Sequence, residues 1–155
     1  MNKRGQFNIS FSMIFSIIII IAIVGVAFYV ISGFLSTSKC AEIGLFYDDL
    51  KTYMEKAWQS TIHQDTFTST LPEGIESVCF GNIAQAQDEK IKKAFINSNG
   101  NVFLYPPQKA CDSSLSAIKL EHVQLNNFFC KSVDNNKIQI KTSKDKFDAL
   151  VTIEE

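Results

Sequence analysis

The feature that most constrains this sequence is an uninterrupted apolar run near its N-terminus. No charged side chain occurs between Arg4 and Lys39, and twenty of the 25 residues from Phe11 to Leu35 are apolar. A helix of that length rises roughly 37 Å, enough to cross a bilayer hydrocarbon core of roughly 30 Å. Backbone groups inside lipid must be hydrogen-bonded within the segment. Residues 11–35 are therefore predicted to form a transmembrane helix.

The charges that flank this run indicate its orientation. Lys3 and Arg4 precede it, whereas Glu42 and the pair Asp48–Asp49 follow it. Positive residues favour the cytoplasmic side, so we expect a cytoplasmic leader (residues 1–10) and an extracellular domain (residues 36–155) on the cell membrane. The alternative is a secretory signal cleaved near residues 36–38. Such signals usually have shorter apolar regions, of about 7–15 residues, and here no Ala-x-Ala site follows the run.

Composition narrows the class of the remaining chain. From residue 36 onward, 48 of 120 residues are apolar, which is ordinary for a soluble domain. The net charge is −1, and the one arginine, Arg4, precedes the apolar run. Bidentate phosphate recognition relies on arginine, so we do not expect nucleic acid as a partner. The expected partner is the membrane, because of the apolar run.

All four cysteines follow the apolar run. An even number of cysteines in a small external domain predicts two disulfides, and no Cys-x-x-Cys pair suggests a zinc site. We expect neither a metal nor a cofactor. Of the three possible pairings we favour Cys40–Cys79 with Cys111–Cys130, and the other two stay open.

An amphipathic helix is predicted immediately after the apolar run. Its apolar residues lie on one side at 3.6-residue periodicity, over about six turns. They are Ile43, Phe46, Tyr47, Leu50, Tyr53, Met54, Ala57, Trp58 and Ile62. This stripe is expected to pack on the rest of the domain, which makes Tyr53 and Trp58 core residues.

Beyond Ile62 the pattern becomes that of short strands. The predicted strands are Thr66–Thr70, Ile75–Phe80, Val102–Tyr105, Ile118–Leu125 and Lys137–Lys141, with an alternating stretch Phe147–Ile153 that closes a terminal hairpin. Asp88 is placed to cap a short helix that Gly100 is expected to stop. The predicted fold class is α+β, a long N-terminal helix packed on a small, mostly antiparallel sheet.

Catalytic motifs are weak or absent in the sequence. His63 and His122 are isolated, and we interpret each as a lone exposed histidine. Ser-x-x-Lys occurs three times without its companion elements, which indicates chance. The chain is therefore not expected to be an enzyme.

Small residues recur on one face of the predicted span. Ala22, Gly25, Ser32 and Ser36 project within a narrow arc, with Gly33 beside them. Small residues let a second helix approach closely in lipid. This face is our candidate for self-association through the N-terminal helix.

The segment Lys3-Arg4-Gly5-Gln6, directly before a long apolar helix, resembles the class III signal of archaeal type IV pilins and archaellins. The resemblance implies that a prepilin-type peptidase cuts after Gly5 and leaves Gln6 as the new N-terminus. It also implies an apolar helix half, an amphipathic half and a β-rich head. Many pilins carry Glu at the fifth mature position, where this chain has Ser10.

A second resemblance covers most of the chain. The stretches Phe11–Ile17, Cys40–Phe46 and Phe147–Val151 resemble an uncharacterised group of membrane-anchored proteins from small-genome archaea. Together these features predict a pilin-like, single-pass surface protein with a structural or adhesive role. Filament subunit is one form of that role. The alternative is a monomeric, membrane-tethered binding module for an envelope component or partner protein. A groove with exposed aromatic rings near Phe128–Phe129 or Tyr105 would favour that alternative.

Overall fold

The computed structural model describes residues 11–154, which divide into two compact units, one ending at Ser36 and the other beginning at Thr37. Helix α1 is assigned from Phe11 to Gln59 and contributes residues to both units. The predicted leader, with its processing residues Gly5 and Gln6, lies outside the described residues.

The first unit is the apolar part of α1. Every side chain from Ser12 to Phe34 is exposed, large aliphatic and aromatic ones included. Two of its serine hydroxyls are hydrogen-bonded along the helix: Ser16 Oγ donates to Ser12 O (2.9 Å), and Ser32 Oγ donates to Phe28 O (2.6 Å). Among the described residues, one helix is long and apolar enough to cross a membrane, and it is α1. The predicted span is therefore a candidate membrane helix by length, composition and exposure.

In the second unit, the amphipathic part of α1 packs on the domain as predicted. Six residues of the predicted stripe are buried, namely Ile43, Phe46, Tyr47, Leu50, Met54 and Ala57. Full burial of a large apolar side chain contributes about 1.5–3 kcal/mol, so this stripe fixes the helix to the core. Tyr53 and Trp58 pack against the core but stay half-buried. The placement of Ile62 on the stripe is wrong, because the helix ends at Gln59 and Ile62 is exposed.

A lysine from a distant strand stabilises the end of α1. The last carbonyls of a helix lack intrahelical donors and attract positive charge. Lys144 Nζ donates to Trp58 O and to Ser60 O, the latter at 2.8 Å. Ser60 Oγ also donates to Ala57 O at 2.6 Å. These bonds satisfy the carbonyls where the helix stops.

Within residues 11–154, eight strands form two four-stranded sheets, where the sequence suggested one sheet. The strands are β1 (His63–Thr70), β2 (Ser77–Phe80), β3 (Val102–Tyr105), β4 (Ala117–Ile118), β5 (Val123–Gln124), β6 (Phe129–Ser132), β7 (Lys137–Lys144) and β8 (Val151–Glu154). The first sheet has the order β1-β7-β8-β5 and the second β4-β3-β2-β6. All pairs are antiparallel except β5–β8. The predicted α+β class with a mostly antiparallel arrangement is confirmed.

The second sheet is covered on both faces. Val78 and Phe80 face the core that α1 shares with the first sheet, whereas Cys79 faces the opposite side, as strand alternation requires. There it packs with Phe103 beneath the short helix α2 (Glu89–Phe95). Asp88 caps α2 as predicted, its Oδ1 accepting from Lys90 N at 2.8 Å.

Gly100 does not stop α2, which corrects one prediction. The helix ends at Phe95, with Ile96 at its C-cap. Gly100 instead permits a close approach between chain segments, because a Cβ there would lie 2.7 Å from the carbonyl oxygen of Ile118. The glycine is required by tertiary contact and not by the helix terminus.

The predicted strand Ile118–Leu125 is also wrong. Its residues are divided between β4 in one sheet and β5 in the other. Between them the chain bends at Glu121 and His122. The Asn101 side chain holds the backbone of Leu120 just before the bend: Leu120 N donates to Asn101 Oδ1 (2.7 Å), and Asn101 Nδ2 donates to Leu120 O (2.9 Å). His122 then adopts a φ of 62°, which strands do not allow. Four apolar or β-branched positions were not sufficient to reveal this turn.

The terminal hairpin is confirmed in outline. Strands β7 and β8 are adjacent and antiparallel, and Thr142 lies opposite Ile153. The predicted strand Phe147–Ile153 began too early in the sequence, since β8 begins at Val151 and Phe147 is 94% exposed. Residues 145–150 form the connection instead.

Candidate functional site

Both disulfides are present, but with a pairing other than the one favoured. Cys40 is bonded to Cys111, and Cys79 is bonded to Cys130. Cys79 and Cys130 lie directly opposite each other in the β2–β6 pair, with Cα atoms 3.9 Å apart. The pairing could not be read from the sequence, because β6 pairs with β2 across 51 residues and not with a neighbouring element.

The Cys79–Cys130 bond lies beside an open sheet edge. Strand β6 is the last strand of its sheet, so only one of its edges is paired. Val133 N donates to Glu76 O at 2.9 Å. In an antiparallel pair, hydrogen-bonded and non-hydrogen-bonded residue pairs alternate, so this bond fixes which residues of β6 bond to β2. Cys130 and Ser132 are therefore at non-hydrogen-bonded positions, and their backbone N–H and C=O groups point away from β2. Both residues are exposed.

A groove runs between this edge and helix α2. We call it the β6 groove; it encloses about 780 Å³. Its lining residues are Gln85, Gln87, Asp88, Ile91, Asn127, Phe128, Phe129 and Cys130. The lining combines three amide side chains and one carboxylate with the apolar residues Ile91, Phe128 and Phe129. Asp88 is the charged residue of this lining, and it is exposed.

Two aromatic rings anchor the groove to different parts of the domain. Phe128 lies on the α2 side, with its ring centroid 6.3 Å from that of Phe103. Phe129 points the other way and stacks on Phe80 at 5.5 Å. Gly81 allows the backbone of Phe128 to approach closely, because a Cβ on residue 81 would lie 2.7 Å from the Phe128 Cα. Gly81 also has a φ of 120°, which residues with a side chain rarely adopt. Phe128–Phe129 stood out in the sequence as adjacent aromatic residues, whereas the three amide residues follow no periodic pattern and were missed.

A second cavity lies between α1 and the segment that joins β4 to β5. It encloses about 360 Å³ and is lined by Lys51, Glu55, Lys119, Leu120, Glu121 and His122. Its lining holds two lysines and two glutamates, whose formal charges cancel. His122 also stacks on Trp58, with ring centroids 3.8 Å apart. That contact gives His122 a packing role, so the interpretation of a lone exposed histidine is wrong.

His63 is engaged as well. Its Nε2 lies 3.2 Å from Tyr53 Oη and 3.1 Å from Thr142 Oγ1, and Tyr53 Oη lies 3.0 Å from the same Thr142 oxygen. Thr142 is buried, and its hydroxyl donates to Asp65 O at 3.1 Å. Burial raises the pKa of the Tyr53 phenol, and the Thr142 hydrogen bond opposes that rise. The three side chains tie α1 to β1 and β7.

This cluster gives a direct stability prediction. Tyr53→Phe removes the hydroxyl that contacts both His63 and Thr142, and leaves their polar atoms with fewer partners. We expect the free energy of unfolding to fall by about 1–2 kcal/mol, measured by urea denaturation. Tyr105→Phe is the matched control, because the Tyr105 hydroxyl has no hydrogen-bond partner among residues 11–154. Equal losses in the two variants would contradict the role of the cluster.

The small-residue face lies on exposed helix surface. A Cβ built on Gly25 or on Gly33 would meet nothing within 4 Å. The described chain offers no group of three or more His, Cys, Asp or Glu residues placed to hold a metal ion. Comparison with protein-family models, with curated proteins and with solved structures finds no match to this chain. Its class is thus defined by architecture: one long apolar N-terminal helix and a small disulfide-bonded α+β domain.

Proposed function

We propose that this chain is a pilin-like, single-pass cell-surface protein with a structural or adhesive role. The observation that carries the proposal is the exposure of every described side chain from Ser12 to Phe34. Such a surface is unfavourable in water and favourable in lipid. In this proposal the helix spans the cell membrane, its N-terminus is cytoplasmic and the domain is extracellular.

The two disulfides support the extracellular placement. Disulfides persist in oxidising compartments and are rare in the cytosol. The bridges join positions 71 and 51 residues apart, so they constrain most of the domain. A domain held together in this way is suited to display outside the cell.

Self-association through the N-terminal helix belongs to the same proposal. The face of Ala22, Gly25, Ser32 and Gly33 would allow close helix packing, either between anchors in lipid or in a filament core. Filament subunit and monomeric anchor remain the two forms of this role. Recovery of the chain in purified surface filaments would support the first, and its absence from them would support the second.

Processing by a prepilin-type peptidase is tested by the intact mass of the native protein. We expect a mass that lacks residues 1–5, with Gln6 as the N-terminus, and that lacks the hydrogens of four thiols. The first change follows from the pilin resemblance, and the second from two disulfides formed outside the cytosol.

The matched control is Gly5→Leu, which should retain residues 1–5 and lose the same thiol hydrogens. A native mass that includes residues 1–5 would remove the pilin-type processing from the proposal. Four free thiols would instead remove the extracellular placement. The two parts of the proposal therefore fail separately.

A membrane-tethered binding module is the second candidate function. The β6 groove favours it, because a concave surface with half-buried aromatic rings and several polar groups is typical of binding sites. Tethering and binding are compatible with an adhesive role, so the two candidates differ mainly in whether the domain recognises a partner.

A further inference from the structure

We infer that the β6 groove binds an extended polypeptide segment of a partner protein, which adds as a strand to the free edge of β6. This inference rests on the second candidate function and names the chemistry of its partner. It depends on three features of the groove, which are its backbone edge, its shape and its charge.

The backbone edge supplies the main hydrogen bonds. Cys130 and Ser132 direct their N–H and C=O groups away from β2, as the Val133–Glu76 bond requires. An extended chain can pair with such groups, and edge strands are protected in most proteins by charge, proline or a covering segment. Cys130 and Ser132 are neutral, and neither is proline; the charged residue of the strand, Lys131, is half-buried and has its backbone groups directed to β2.

The shape of the groove suits an extended chain. A cleft bounded by an edge strand on one side and a helix on the other holds a peptide strand, and alternate side chains of that strand enter the cleft. Cys130 and Phe128 face the α2 side of the sheet, together with Ile91. An apolar side chain of the partner would lie against Ile91 and Phe128.

Charge and polarity indicate the rest of the segment. Asp88 is the charged side chain of the lining, and its Oδ1 already accepts from Lys90 N. The amides of Gln85, Gln87 and Asn127 can both donate and accept hydrogen bonds. The partner segment is therefore expected to combine apolar residues with a lysine or arginine that pairs with Asp88.

The test uses the full-length protein in lipid nanodiscs and a displayed library of short random linear peptides. We expect selection of peptides that carry apolar residues and a basic residue, and slower hydrogen exchange at the Cys130 and Ser132 amides when they bind. Ser132→Pro removes one outward N–H without breaking the β2–β6 ladder, so affinity should fall about tenfold or more. Ser132→Ala keeps that N–H and should bind like the wild type.

A second variant isolates the charge. Asp88→Asn retains a helix cap and removes the carboxylate charge. It should weaken only those peptides that carry lysine or arginine, and it keeps the inference testable if Ser132→Pro fails to fold.

Three outcomes would overturn the inference. The first is that no peptide is enriched over empty nanodiscs. The second is that selected peptides bind Ser132→Pro and the wild type equally. The third is that two copies of this chain pair through β6, seen as a dimer that Ser132→Pro abolishes. None of them bears on membrane anchoring, which the extraction experiment below tests separately.

Discussion

Removing the Cys40–Cys111 bridge should strongly destabilise the domain of residues 37–154. The bridge closes a separation of 71 residues, and a loop of this length contributes about 4 kcal/mol in the chain-entropy account. Domains of this kind have net stabilities of roughly 5–15 kcal/mol. The double variant Cys40→Ser with Cys111→Ser is therefore expected to lose a large part of its free energy of unfolding, as measured by urea denaturation.

The second bridge provides the comparison. Replacing Cys79 and Cys130 by serine removes a cross-link between residues 51 positions apart, which should also lower the free energy of unfolding by about 4 kcal/mol. The two loops overlap, so removing both bridges should cost less than the two losses added together. Dithiothreitol should lower the Tm of the wild type sharply and have a smaller effect on either double variant. An unchanged wild-type Tm in dithiothreitol would contradict the prediction.

Charge placed in the middle of the apolar helix should release the protein from the membrane. Ile20 and Ile23 are both exposed and lie near the centre of residues 11–35. Aspartate at the centre of a membrane helix costs about 2.5–3.5 kcal/mol for each residue. We expect the variant Ile20→Asp with Ile23→Asp to appear mainly in the supernatant after alkaline carbonate extraction, where the wild type stays in the pellet.

The control for this experiment is Ile20→Leu with Ile23→Leu, which keeps the helix apolar and should remain in the pellet. The folded domain forms a separate unit from Thr37 onward, so its melting transition should be the same in all three proteins. Retention of the aspartate variant in the pellet would show that residues 11–35 are not the anchor.

Local sequence patterns predicted the elements whose stability is local. The bounds of β3 matched those predicted from Val102–Tyr105, and Asp88 caps α2 as its residue type suggested. The α1 stripe was recognised because its buried residues repeat at the helical period. These elements depend on short-range hydrogen bonds and on one apolar face, both of which a short window of sequence contains.

The candidate site was only partly visible in the sequence. Phe128–Phe129 marked its position, and the two rings pack on opposite sides there, Phe128 against Phe103 and Phe129 against Phe80. The amides of Gln85, Gln87 and Asn127 were missed, because they come from segments about 40 residues apart and share no pattern. The roles of His63 and His122 were missed for the same reason, since each contacts a residue on α1.

The sequence alone determined that residues 11–35 form an apolar helix, that the next helix is amphipathic and that the rest is a small domain of short strands with two disulfides. Tertiary structure decided which cysteines pair, how Ile118–Leu125 divides between two sheets and that β6 forms an open edge beside α2. The physical reason is that periodicity and capping act over a few residues. Strand order and disulfide pairing depend on contacts between residues 51 or 71 positions apart, whose free energy appears only when the whole core has packed.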